Sequence, residues 1–113
     1  MEKIFLNNKL VDADKASVSV SDSGLLYGAG LFETMRTRAG KVFALKDHLD
    51  RLFFSAKALS IDIGHDKEYI AEAIYKTLAA NNLEDARMRL TVTGGSMSVE
   101  DEYSAMVERP FTD

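Results

Sequence analysis

Cysteine and tryptophan are absent from this sequence, and proline occurs once, at Pro110. Without cysteine the chain can hold no disulfide, thiolate metal site or cysteine nucleophile. The two histidines, His48 and His65, lack the spacing of metal ligands, so a zinc site would need carboxylates. No apolar run approaches the roughly 18 residues of a membrane helix, and the N-terminus lacks the apolar stretch of a signal peptide. We therefore expect a cytoplasmic protein without membrane partners.

Length and charge further limit the kinds of protein that this chain can be. The chain has 113 residues, of which 46% are hydrophobic, and this is enough for one domain, residues 1–113, with a buried core. The net charge of -4 and the pI near 5.1 argue against non-specific binding of nucleic acid. The chain is nevertheless short for a metabolic enzyme.

Alternating segments bounded by turn residues predict strands at both ends of the chain. Asn7 and Asn8 stand between two short apolar runs and predict a hairpin, because asparagine tolerates the positive φ of tight turns. Ala39 and Gly40 predict a second two-residue turn. Beyond the first hairpin, the predicted strands are Ser17–Ser21, Leu31–Arg38, Lys41–Leu45, Ala86–Thr93 and Tyr103–Arg109.

In the middle of the chain, apolar residues recur every three or four positions and predict two helices. The first spans Lys46–Ser60, and the second spans Lys67–Asn81 with Asp66 as its N-cap. Strands and helices segregated in this order predict an α+β fold, in which an antiparallel sheet is packed on one side by two helices. A doubly wound parallel sheet would need regular alternation of strands and helices, which the pattern lacks.

Three polar residues of the first predicted helix, His48, Arg51 and Ser55, lie along one side next to the apolar stripe. An arginine with a hydroxyl one turn away can bind an oxyanion, because the guanidinium fork matches phosphate geometry. The alternative interpretation is an arginine at the edge of the core that pairs with Asp47 or Asp50.

Arginine pairs recur on two predicted strands, Arg87 with Arg89 and Arg36 with Arg38. Two arginines on one strand face repel each other unless an anion or a carboxylate lies between them, so such a pair suits a substrate carboxylate. The alternative interpretation is a solvated sheet face balanced by the acidic residues of the chain.

Gly28 and Gly30 form a glycine-rich segment, which pattern alone assigns to a turn between two strands. The segment lacks the third glycine of a dinucleotide-binding motif, and a predicted strand follows it where that motif needs a helix. It also lacks the Gly-Lys-Ser/Thr of a phosphate loop. Neither kind of nucleotide site is therefore predicted.

The segment Ser21–Arg36 resembles the opening of the class IV, or fold-type IV, pyridoxal-phosphate enzymes. The resemblance continues, in order, through Gly40–Phe43, through the His-x-x-Arg-Leu motif of His48–Leu52 with Ser55 and Ala56 after it, and through Arg87–Thr93. The family includes branched-chain aminotransferases, D-amino-acid aminotransferases, (R)-selective amine transaminases and aminodeoxychorismate lyases. Each motif is short, but their combination is specific.

The resemblance implies a small N-terminal α+β domain, which a larger domain follows in the family, and a homodimeric enzyme. Arg51 matches the arginine that binds the phosphate of pyridoxal 5'-phosphate. Tyr27 and Phe32 match residues that line the substrate pocket. Arg89, with Arg87 as a second candidate, matches a strand position that helps to recognise the substrate carboxylate.

For a full-length enzyme, the resemblance implies amino transfer between an amino acid and a 2-oxo acid, of the branched-chain or D-amino-acid type. The family's Schiff-base lysine lies in the larger domain, and no lysine of this chain stands in the corresponding context. We therefore expect this chain alone to be an inactive N-terminal fragment that does not bind the cofactor and that self-associates. Two alternatives remain: a domain of an aminodeoxychorismate lyase, which eliminates pyruvate to give 4-aminobenzoate, and a non-catalytic module that dimerises or binds an anion through Arg51.

Overall fold

The computed structural model describes residues 1–96, which form two antiparallel sheets and two long helices. The strands are β1 (Lys3–Leu6), β2 (Lys9–Asp12), β3 (Gly30–Arg38), β4 (Lys41–Val42) and β5 (Ala86–Thr93). The helices are α1 (Ser23–Tyr27), α2 (Leu45–Ala58) and α3 (Lys67–Ala80), and a short 3-10 turn spans Ala13–Lys15. The predicted α+β fold is confirmed.

β1 and β2 form the hairpin that the two asparagines predict. Asn7 has a φ of 47° and Asn8 a φ of 78°, values in the left-handed region that asparagine adopts more readily than most residues. The hairpin is tied to the end of α3 by Asn81. Its Oδ1 accepts a hydrogen bond from Lys3 N at 2.7 Å, and its Nδ2 donates one to Lys3 O at 3.0 Å.

The three-stranded sheet has the order β4-β3-β5, so β3 lies in its middle. β3 pairs antiparallel with β5, from Gly30 opposite Thr93 to Thr37 opposite Ala86. Successive residues of β3 alternate between buried and exposed. Those buried on its inner face are Glu33, Met35 and Thr37. One face of this strand therefore contacts the core, and the other faces solvent.

Both long helices lie close to the predicted ranges and contact the inner face of the sheet. The predicted N-cap of α3 is confirmed, because Asp66 Oδ1 accepts a hydrogen bond from Tyr69 N at 2.8 Å. The buried cluster between the sheet and the helices consists of Met35, Val42, Leu49, Ile70, Ile74 and Leu78. Burying an aliphatic side chain of this size contributes about 1.5–3 kcal/mol. None of the helices in residues 1–96 has the length and apolarity to cross a bilayer.

Two of the strand predictions need correction, and a third concerns residues that the structure does not describe. Ser17–Ser21 forms no strand, and Val18 and Val20 are exposed. Within residues 1–96 this segment has no neighbouring strand to pair with, and pairing is what stabilises a strand. The strand predicted for Lys41–Leu45 ends at Val42, because α2 already begins at Leu45. The strand predicted for Tyr103–Arg109 lies outside the described residues.

The glycine-rich segment follows a helix rather than a strand, so its prediction as a turn between two strands is wrong. Asp22 caps α1, since its Oδ2 accepts a hydrogen bond from Gly24 N at 2.8 Å. Gly28 ends the helix with a φ of 68°, in the left-handed conformation that glycine adopts at helix ends. Tyr27 is consequently the last residue of α1 and lies shortly before β3.

Candidate functional site

A buried carboxylate lies on the inner face of the sheet. Glu33, in the middle of β3, is 7% exposed. The Arg51 guanidinium binds it with two hydrogen bonds: Nε donates to Oε2 at 2.9 Å and Nη2 donates to Oε1 at 2.7 Å. This fork-to-fork geometry is the strongest arrangement available to an arginine and a carboxylate. It fixes the plane of the guanidinium against the sheet.

His48 completes this group from the preceding turn of α2. Its Nδ1 lies 2.7 Å from Glu33 Oε1. An ionised carboxylate can only accept hydrogen bonds, so Nδ1 carries the hydrogen and donates it. Arg51 Nη2 also lies 3.4 Å from Nδ1, but two donors cannot bond to each other, so this is a contact only. We call Glu33, His48 and Arg51 the Glu33 cluster.

The donors of the Glu33 cluster keep its carboxylate ionised. The hydrogen bonds from Arg51 lower the pKa of Glu33 most, and the hydrogen bond from His48 lowers it further. Together they outweigh burial and lower this pKa from 4.5 to about 2. A general base that works near neutral pH needs a pKa closer to 7. The cluster is therefore suited to positioning rather than to proton transfer.

Arg51 presents part of its guanidinium to solvent. Its side chain is 65% exposed, and within residues 1–96 its Nη1 makes no hydrogen bond. Its partner is Glu33, so the alternative pairing with Asp47 or Asp50 is wrong. Asp50 instead binds Lys46 at 2.7 Å and Lys67 at 2.8 Å. Arg51 thus combines a fixed orientation with donors that remain available to an anion.

The sequence-based prediction of the site omits Glu33. The signal that identifies it is the alternation of β3, which places this residue on the same face as Leu31 and Met35. A carboxylate at such a position is costly to bury unless a cation pairs with it. The partner could not be chosen from the sequence, because its choice depends on how α2 packs on the sheet.

The outer face of the same sheet is cationic. It carries the arginine face, which consists of Arg36, Arg38, Arg87 and Arg89. Arg36 lies directly opposite Arg87 in the pairing of β3 with β5. Like charges at opposed positions destabilise a sheet. Within residues 1–96 none of these four arginines forms an ion pair, so the face is ready to accept an anion.

The structure brings together two of the predicted substrate residues on this outer face. The Arg89 guanidinium lies 4.1 Å from the centre of the Phe32 ring, a cation–π contact that orients the arginine. Arg87 is on the same face, two residues away along β5. Phe32 is 58% exposed, so its ring is accessible beside the guanidinium.

Tyr27 is placed by the contact between α1 and the end of β5. Asp22 Oδ1 accepts a hydrogen bond from Thr93 Oγ1 at 3.0 Å, and Ser23 N donates to Gly95 O at 2.9 Å. The approach is so close that a Cβ on Gly24 would lie 2.5 Å from the methyl carbon of Thr93. The half-exposed Tyr27 at the end of α1 is therefore held near the start of β3, the strand that carries Phe32 and Glu33.

The family model for amino-transferase class IV matches residues 30–109, which is more than half of the chain. The chain belongs to the class IV aminotransferase family. The resemblance seen in the sequence motifs is thereby confirmed. Arg51, Phe32, Arg87 and Arg89 all lie within the matched range, and Tyr27 lies just before it.

Curated relatives of this class IV chain are aminotransferases by name. A candidate branched-chain-amino-acid aminotransferase of Methanocaldococcus jannaschii is 55% identical over 93 residues, which are 82% of this chain and 32% of that protein. A D-alanine aminotransferase of Listeria monocytogenes is 37% identical over 93 residues, which are again 82% of this chain and 32% of that protein. The chain thus spans about a third of the length of these relatives.

Solved structures of class IV enzymes share the fold. The branched-chain amino acid aminotransferase from Escherichia coli superposes with a TM-score of 0.79 and is 29% identical, over 88% of this chain and 36% of that one. A second branched-chain amino acid aminotransferase, from T.th., superposes with a TM-score of 0.76 and is also 29% identical, over 81% of this chain and 32% of its own. The second enzyme is complexed with N-(5'-phosphopyridoxyl)-L-glutamate, so this relative binds a phosphopyridoxyl group.

The residues of this chain fit a phosphorylated cofactor at one position. Arg51 is a solvent-accessible guanidinium that Glu33 holds in a fixed plane, and a phosphate monoester is an anion that such a fork binds well. Ser55 follows on the next turn of α2 and adds a hydroxyl on the same side.

Proposed function

We propose that this chain is the N-terminal domain of a pyridoxal 5'-phosphate-dependent aminotransferase, which transfers an amino group between an amino acid and a 2-oxo acid. The observation that carries the proposal is the fixed yet exposed guanidinium of Arg51 in a class IV chain. When bound, the cofactor supplies the carbonyl carbon and the electron sink that amino transfer requires. This chain supplies binding and orientation.

In this proposal Arg51 binds the phosphate group of the cofactor. Glu33 holds Nε and Nη2, so the guanidinium cannot rotate away, and Nη1 keeps its hydrogens for another acceptor. Because the side-chain entropy of Arg51 is already restricted by Glu33, less is lost when an anion binds. His48 supports the same carboxylate and has no proposed role in proton transfer.

The outer face supplies the contacts to the substrate. Arg89, oriented by the Phe32 ring, is the first candidate to bind a substrate carboxylate, and Arg87 is the second. Tyr27 and Phe32 provide aromatic surface for the rest of the substrate. The higher identity to the branched-chain relative, 55% against 37%, favours apolar L-amino acids as donors over D-alanine.

Self-association belongs to the same proposal. Apolar side chains are exposed along one stretch of the chain, at Val18, Val20, Leu25, Leu26 and Tyr27. Apolar side chains exposed so close together in the sequence indicate an interface. We propose that a second copy covers it.

The test is an amino-transfer assay on the complete gene product that contains this chain, with 2-oxoglutarate as acceptor and either L-leucine or D-alanine as donor. We expect transfer from L-leucine that depends on added pyridoxal 5'-phosphate. The alternative lyase activity is assayed in parallel as pyruvate release from aminodeoxychorismate. Pyruvate release without amino transfer would overturn the proposal, and so would the absence of any cofactor-dependent reaction.

A further inference from the structure

The short helix α1 is held in place by polar contacts rather than by an apolar core. It has five residues, and helices this short are not stable alone in water. Within the described residues 1–96 none of its side chains is buried, and Leu25 and Leu26 are 64% and 40% exposed. Hydrophobic burial therefore contributes little to the position of α1, and hydrogen bonds must fix it.

Asp22 supplies the central polar contact. It is 9% exposed, and both of its carboxylate oxygens accept hydrogen bonds. Oδ2 accepts one from Gly24 N in α1, and Oδ1 accepts one from Thr93 Oγ1 at the end of β5. The Thr93 hydroxyl in turn accepts a hydrogen bond from Gly95 N at 3.2 Å. The carboxylate thus joins the helix to the strand, and we call these two side chains the Asp22–Thr93 pair.

Backbone hydrogen bonds attach both ends of α1 to the residues that follow β5. At the start of the helix, Ser23 N donates to Gly95 O at 2.9 Å. Just beyond its end, Gly94 N donates to Ala29 O at 3.0 Å. Tyr27 lies between these two attachments, so its backbone is fixed relative to β5.

α1 covers one end of the outer face of the sheet. Arg89 and Thr91 are exposed on this face, but Thr93, which continues the same alternation along β5, is half-buried. The reason is that Gly24 packs against the Thr93 methyl group. Tyr27, three residues after Gly24, therefore belongs to a helix that lies on the same face of the sheet as Arg89.

We propose that Asp22 is a positioning residue, which acts through Thr93 to hold Tyr27 in place for the substrate. The proposal rests on the function proposed above, in which Tyr27 provides aromatic surface and Arg89 binds a carboxylate. Loss of the Asp22–Thr93 pair frees α1 but spares the sheet, because within residues 1–96 the buried cluster contains no side chain of α1. Substrate affinity then falls, since Tyr27 has to be ordered when the substrate binds.

Amide hydrogen exchange in the complete gene product tests the structural part without an assay of activity. In Asp22→Ala the amides of Leu26 and Gly28, both hydrogen-bonded in α1, should exchange about tenfold or more faster than in the parent. Amides of β3 and β5 should keep their protection. Unchanged exchange in α1 would overturn the proposal. Loss of protection throughout β3 and β5 would overturn it too, since Asp22 would then support the whole domain.

Ser23→Ala is the matched control for this exchange experiment. Ser23 follows Asp22 directly, and its Oγ is buried but makes no hydrogen bond in the part of the chain that the structure describes. Its removal costs α1 no hydrogen bond, so exchange should stay within about twofold of the parent. An equal acceleration in Ser23→Ala would contradict the role of the Asp22 carboxylate.

Amino-transfer kinetics with L-leucine test the positioning role itself. Thr93→Val keeps the shape of the side chain but removes the hydroxyl, so it should raise the KM for L-leucine about fivefold and leave kcat within about twofold. Thr93→Ser keeps the hydroxyl and should have a KM within about twofold of the parent. In a Tyr27→Ala background, Thr93→Val should raise the KM no further, because the residue that it positions is gone.

The outcomes separate this proposal from the proposed function. An active parent whose KM is unchanged in Thr93→Val would overturn the positioning role alone, and so would an equal rise with and without Tyr27. A parent without amino transfer would overturn the proposed function and this role with it, while the exchange data still show whether Asp22 holds α1. If Asp22→Ala does not fold, exchange in Thr93→Val, which preserves the side-chain shape, decides the same question.

Discussion

The two faces of the β4-β3-β5 sheet differ in how their charged side chains are paired. On the inner face, Glu33 is buried and both of its oxygens are bound by Arg51 and His48. On the outer face, four arginines lie in solvent, and none has an ion-pair partner within residues 1–96. A buried carboxylate with satisfied hydrogen bonds fixes the geometry of its partner, whereas an exposed cationic face without ion pairs attracts anions. Adjacent residues of one strand, Glu33 and Phe32, thus lie in different electrostatic surroundings.

The largest effect on stability is expected when the negative charge of Glu33 is removed. Glu33→Gln keeps the shape but loses the charge-assisted bonds, so we expect the free energy of unfolding to fall by about 1–3 kcal/mol. Asp50→Asn removes two ion pairs that are exposed to solvent, with Lys46 and Lys67, and should cost less. Urea denaturation of the 113-residue chain measures both. If the two substitutions lowered the free energy of unfolding equally, burial of Glu33 would add nothing to the strength of its pairing with Arg51.

The same variant has a pH signature. The pKa of Glu33 is lowered in the folded chain from 4.5 to about 2, so its contribution is complete above pH 4.5. It is lost as the pH falls through 2, because protonation then breaks the pairing with Arg51. Stability of the parent should therefore drop more steeply between these values than that of Glu33→Gln. Parallel curves for the two proteins would contradict the assignment of this pKa to the cluster.

A smaller effect is expected from the outer face. In the complete gene product, Arg89→Gln should raise the KM for the 2-oxo acid about tenfold, which corresponds to one lost charge-assisted hydrogen bond. Arg38→Gln is the matched control, because Arg38 stands at the far end of β3 from Phe32 and should leave the KM within about twofold. An equal rise in both variants would show that the face acts only through its overall charge.

Local chemistry explains why most of the fold could be predicted. The hairpin turn at Asn7 and Asn8 and the N-cap at Asp66 are set by residues within a few positions. The failures have non-local causes. Ser17–Ser21 alternates like a strand but has no partner strand in the described part of the chain, and the early start of α2 shortens β4. Such outcomes depend on packing that a local pattern does not contain.

The candidate site likewise combines residues that local motifs indicate with contacts that depend on packing. Motifs indicate Arg51, Phe32 and Arg89 as candidates, and the structure adds the contact between the last two. Glu33 was the omission, although alternation along β3 marks it as buried. Its partner depends on the placement of α2 against β3, which no spacing within either element specifies.

The most direct test of the central claim, that Glu33 positions Arg51 for a phosphate, compares two ligands. Pyridoxal 5'-phosphate and pyridoxal are titrated into the complete gene product and into its Glu33→Gln variant, and binding is followed by absorbance. We expect the variant to lose about tenfold or more in affinity for the phosphate ester and to keep its affinity for pyridoxal, since only the ester contacts Arg51. An unchanged ratio of the two affinities in Glu33→Gln would contradict the claim.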